Sequence, residues 1–110
     1  MIITFVTEGY ATEDNAQTII YDNCEEIRIK HLITEKLAKE ASKIFSDLQL
    51  SNGWVVKRWT SLKDAKYDET EYYKRLYQIS FHSNGKEYFI LTLTKVFIAN
   101  DENKTFRVLN

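Results

Sequence analysis

An α+β fold, with one amphipathic helix on a mostly antiparallel sheet, is what this sequence predicts, and three observations carry the expectation. Proline is absent and glycine occurs only at Gly9, Gly53 and Gly85, so long regular elements with short connections are expected. One stretch, about residues 34–49, follows the 3.6-residue period of a helix. On either side of it, short runs alternate between apolar and polar residues with the period of two that a strand requires. The expected order is β-β-β-α-β-β-β-β, and 110 residues are read as a single domain.

Each element has its own warrant. Met1–Val6 is read as a strand because Ile2, Ile3, Phe5 and Val6 are apolar and β-prone. Residues 7–15 are polar around Gly9 and form a loop. Thr18–Tyr21 is a second short strand, followed by the turn-forming pair Asp22-Asn23. Ile27 and Ile29 are two apart, a spacing that a narrow helical stripe cannot hold, so residues 26–30 form a third strand. In the helix, Ile33, Leu37, Ala41, Ile44, Phe45 and Leu48 make one apolar face. Thr34 is placed to cap its N-terminus, and Glu35 sits near the positive end of the dipole. Asn52-Gly53 closes it.

Beyond Gly53 the chain reads as strand only. Trp54–Ser61, Glu71–His82, Glu87–Ala99 and Thr105–Leu109 alternate, with a charged loop at Leu62–Thr70 and a turn at Asn100–Lys104. Asn84-Gly85 between two alternating runs is the strongest short hairpin signal, because a type I′ turn needs positive φ at both positions. These strands are expected to form an antiparallel meander, one face covered by the helix. Leu37, Ile44, Phe45, Leu48, Phe89, Leu91 and Leu93 are the expected core.

Composition excludes several classes. Of the residues, 44% are apolar or aromatic and 28% charged, the mixture of a folded domain and not of a disordered tail. No apolar run reaches the roughly 20 residues of a membrane-spanning helix, and the acidic start does not resemble a secretion signal. Together with the lone Cys24, this predicts a cytoplasmic protein. Richness in Lys, Asn, Ile and Glu suits a low-GC bacterium or its phage. The net charge of −1 is unevenly spread: residues 1–26 hold six acids and no Lys or Arg, whereas all fifteen bases lie beyond them.

Chemistry is sparsely signalled. His31 and His82 are the only histidines, and no metal-ligand spacing or phosphate-binding glycine loop is present, so no metal and no cofactor are expected. A Cys24–His31 dyad would have to span a strand. An RNase-like toxin using His82, Arg75 and Lys95 is a less favoured enzymatic alternative, and a non-enzymatic reading is preferred to it.

Two surfaces stand out instead. One is acidic, with Glu13, Asp14, Glu25 and Glu26 placed to steer a basic partner. The other interleaves cations with flat rings: Trp54, Lys57, Arg58 and Trp59 on one strand, and Tyr72, Tyr73, Lys74, Arg75 and Tyr77 on what should be its neighbour. Tyr, Trp and Arg dominate protein-binding hot spots, which favours a protein-binding module, with a small inhibitor of host machinery from a phage or mobile element as its specific form. The same residue types stack on bases and contact phosphates, so the alternative is a single-strand nucleic-acid binder. A homodimer through an edge strand is a further expectation, and no membrane partner is expected.

Overall fold

Apolar residues at both parities of one strand need cover on both sides of its sheet, and residues 86–93 have that pattern. The computed structural model describes residues 1–7, 17–59 and 75–109. Its elements are β1 (Ile2–Thr7), β2 (Gln17–Tyr21), β3 (Cys24–Leu32), α1 (Glu35–Gln49), β4 (Trp54–Trp59), β5 (Leu76–Ser83), β6 (Lys86–Thr92), β7 (Lys95–Ala99) and β8 (Thr105–Leu109). The class is α+β, and among the described residues the helix follows three strands and is followed by strands alone, in the expected order.

The strands form two four-stranded sheets, not one. The first has the order β2-β1-β7-β8 and the second β3-β5-β6-β4. All pairs are antiparallel except β4 with β6, which run parallel from Trp54↔Glu87 to Trp59↔Thr92. The C-terminal strands therefore do not make the expected meander. The run expected as one strand, Glu87–Ala99, is broken at Leu93-Thr94, where the chain leaves the second sheet for the first.

Two cores result. Between the sheets lie Ile3, Phe5, Val96, Ile98 and Leu109 from the first and Cys24, Ile79, Phe81 and Ile90 from the second. Between the second sheet and α1 lie Leu32, Leu76, Phe89, Leu91 and Leu93 with Ala38 and Ala41. The helix thus presents alanines at its most buried positions, and Leu37, Phe45 and Leu48 pack half-buried around them. Ile33 and Ile44, expected on the buried face, are exposed instead, at 53% and 43%. Small side chains bring the helix axis close to the sheet, and the edges of a wide apolar stripe then fall outside the contact.

Local signals act as their chemistry requires. The Thr34 hydroxyl accepts a hydrogen bond from the Leu37 amide at 3.2 Å, and Glu35 pairs with Lys39 at 3.1 Å. The helix ends at Leu50, and the positive φ of Gly53 (92°) turns the chain into β4. Asn84 and Gly85 both have positive φ, 50° and 80°, in the tight turn between β5 and β6. Among the described residues, no helix is long and apolar enough to cross a membrane.

Candidate interaction surface

Alternation along β4 sends its two tryptophans to opposite faces. Trp54 packs half-buried against the core under the helix, whereas Trp59 packs against the core between the sheets. The Trp59 ring meets Phe5 edge-on at 4.7 Å and lies 6.5 Å from Tyr21. The cations between them are taken up locally: Lys57 Nζ stands 5.7 Å from the Trp59 ring, and the Arg58 guanidinium lies 4.8 Å from the ring of Phe45 on α1. Strand β5 is not the neighbour of β4, because β6 lies between them. On β5, Tyr77 is half-buried against the inter-sheet core and stacks on His31 at 4.4 Å, while Arg75, just before the strand, is exposed. The basic-aromatic residues therefore do not form one contiguous platform. Tyr72, Tyr73 and Lys74 lie outside the described residues, as do Glu13 and Asp14.

Glu25 and Glu26 are exposed at a bulge in β3, where Glu26 adopts φ 52°. The bulge turns the Glu26 carboxylate onto His82 Nε2 at 3.2 Å, and Glu87 approaches the same nitrogen at 3.4 Å. Asp22, in the turn before β3, accepts a hydrogen bond from Asn84 at 3.0 Å, and Asp101 meets the N-terminal ammonium at 2.9 Å. Glu26, Glu87, Asp22 and Asp101 are thus engaged by His82, Asn84 and the N-terminal ammonium.

The enzymatic constellations are not assembled. His82 stands near the turn end of β5 and Arg75 just before its start, while Lys95 begins a strand of the other sheet. Cys24 and His31 lie at opposite ends of β3, roughly 20 Å apart at the rise of an extended strand. Burial pushes the Cys24 thiol up, and its sulfur donates to the Tyr21 carbonyl at 3.3 Å.

One surface escaped sequence reasoning. On the outer face of the first sheet, Ile20, Thr4, Phe97 and Val108 stand in one cross-strand row, set by the registers of β2 with β1, β1 with β7 and β7 with β8. Ile20 is 62% exposed, Val108 50%, and Phe106 on the same strand 59%. Among the described residues, Lys95 is the one charge on this outward row and its neighbours, and its Nζ stands 5.6 Å from the Phe97 ring. The signal available in the sequence was apolar residues at both parities, as in Ile19-Ile20 and in Phe106, Val108 and Leu109. Neither a protein-family model, nor a curated protein, nor a solved structure matches the chain. The reading of function thus rests on the surface itself.

Proposed function

We propose that the chain is a non-enzymatic protein-binding module that covers a surface of another protein with the outer face of the β2-β1-β7-β8 sheet. One observation carries the reading: among the described residues, Ile20 and Val108 are exposed beside Phe97 on a sheet face turned to water, where antiparallel sheets ordinarily place polar side chains, and Phe106 is exposed at the bulge of β8. A contiguous apolar patch with cations at its margin, here Lys95 and Lys104, has the anatomy of an interface core and rim. In its narrower form the proposal is a small inhibitor of host machinery, from a phage or mobile element of a bacterium. The proline-free, Lys- and Asn-rich composition supports that source.

The alternative, a single-strand nucleic-acid binder, draws on Trp54, Lys57, Arg58, Trp59 and Tyr77. It stands second because Trp54, Trp59 and Tyr77 pack half-buried against the two cores and so offer little open ring face for stacking. Affinity capture from nuclease-treated lysate separates the readings. Phe106→Glu with Val108→Glu should lose a captured protein that Lys57→Ala with Arg58→Ala retains. Capture that vanishes with nuclease and depends on Lys57 and Arg58 would reverse the order.

A further inference from the structure

We propose that the chain pairs with a second copy of itself through β2, edge to edge and antiparallel across a two-fold axis, so that the two outer sheets become one. The inference rests on the edge of β2; it shares Ile20 with the face proposed above but not Phe106 or Val108, so variants at those two positions let the two readings fail separately. Sheet edges present unpaired backbone N–H and C=O groups, and soluble proteins guard them with bulges and with charges, above all charges at inward-facing positions. The described strands leave four edges, β2 and β8 in the first sheet and β3 and β4 in the second.

Three of them are guarded. Strand β8 sets Arg107 opposite Ile98, whose own side chain faces the buried space between the sheets. Strand β4 sets Lys57 opposite the fully buried Ile90. Strand β3 is bulged between Glu25 and Arg28 and carries Arg28 and Lys30. Strand β2 has none of these devices. Its five residues, Gln17 to Tyr21, include no charge and its ladder with β1 has no bulge. Among the described residues it pairs with β1 alone.

Charge decides the occupant. An acidic or basic foreign strand finds no counter-charge on β2, whereas an uncharged alternating strand fits it, and β2 is such a strand. Centred on Ile19, an antiparallel pair sets Thr18 against the partner's Ile20 on the outer face and opposes no like charges. The same pairing of β8 about Arg107 would set two guanidinium groups against each other. Ile20, which is 62% exposed, is covered by the partner's Thr18, and the row from Val108 to Ile20 continues across the joint into the partner's Thr18 and the partner's Val6.

Sedimentation velocity on the full chain over a concentration series tests this. Wild type should dimerise reversibly. Thr18→Lys with Ile20→Lys, both at exposed outward positions, should weaken the dimer at least about tenfold. Thr18→Glu with Ile20→Glu should do the same alone. Mixing the two variants should restore a one-to-one dimer that weakens with salt, whereas Phe106→Lys should leave dimerisation unchanged. Without any substitution, hydrogen exchange at Thr18–Tyr21 should be slower at high than at low protein concentration. A chain monomeric up to about 1 mM, a dimer that survives both charged pairs, or exchange at β2 that ignores concentration overturns the proposal.

Discussion

At the scale of single residues, Tyr21 is the most exacting test of the interior. Its ring packs among Phe5, Trp59, Phe81 and Tyr88, and its hydroxyl is buried with no hydrogen-bond partner among the described residues. Burial, reinforced by Tyr88, pushes the phenol up to about 12. The unfolded chain ionises near 10, so between roughly pH 10 and 12 unfolding releases a proton that the folded state holds, and stability falls as pH rises through that window. Tyr21→Phe should raise stability by about 1 kcal/mol at neutral pH, since an unpaired buried hydroxyl disappears, and should remove its share of the alkaline loss. Urea midpoints at neutral and alkaline pH check both, and an equal alkaline loss in the variant would contradict the assignment. Gly85 tests the backbone. Open space surrounds the position of a Cβ there, so the about 1–3 kcal/mol expected for Gly85→Val comes from its φ of 80° and not from a clash. A loss below about 0.5 kcal/mol in denaturant unfolding would show the turn tolerates a branched side chain. This pair of positions was legible in advance, because Asn84-Gly85 carries its conformation in its chemistry.

Among elements, the helix was legible in its extent and cap but not in which residues its contact covers. Periodicity marks a stripe, and only the partner surface determines how much of the stripe is buried. Because Ala38 and Ala41 lie deepest, Ala41→Leu should destabilise by about 1–3 kcal/mol through overpacking. Phe45, half-buried and 6.4 Å from Phe89, should lose about 2 kcal/mol on change to alanine, less than a fully buried ring. Urea unfolding of both variants checks the two magnitudes, and an Ala41→Leu variant as stable as wild type would show that the contact face lies elsewhere on the helix. The break at Leu93-Thr94 was hidden for a different reason. Ile90 and Thr92 before it and Val96 and Ile98 after it all occupy the space between the sheets, so the even positions stay buried straight through the crossover. Only the odd positions change surroundings, from the helix side at Phe89 and Leu91 to the outer face at Phe97. Alternation continues unbroken and gives no sign that the chain has moved to another sheet. Nor does it encode that β4 lies parallel to β6, since pairing partners leave no mark on a period of two.

On the scale of the molecule, the basic-aromatic strands looked like a site because Trp54, Trp59 and Tyr77 were read without their partners. Once helix and sheets are stacked, those rings stabilise two cores. The candidate face emerged only because, among the described residues, the first sheet has cover on one side and the second on both. Phe106→Ser with Val108→Ser should therefore abolish partner capture while changing stability by no more than about 1 kcal/mol, as exposed positions do. A melting point that collapses with binding would mean that the face is covered within the protein. Reversal of Glu25 and Glu26 to Lys should cost up to about 1 kcal/mol of stability through loss of the Glu26–His82 contact, and calorimetry beside association kinetics on the same variant would separate that from an effect on association. The first sheet has one more consequence. Its centre is the ladder from Ile2↔Ala99 to Val6↔Lys95, which joins residues 2–6 to residues 95–99 across most of a hundred positions. During synthesis the hairpin of β1 and β2 must wait, one side unpaired, until residues 95–99 have left the ribosome. Contacts so distant along the chain place folding in the slow, millisecond-to-second class. The strand with the longest wait for its partner therefore contributes Ile3 and Phe5 to the core between the sheets, and a ribosome stalled before β7 holds out both side chains for a chaperone to bind.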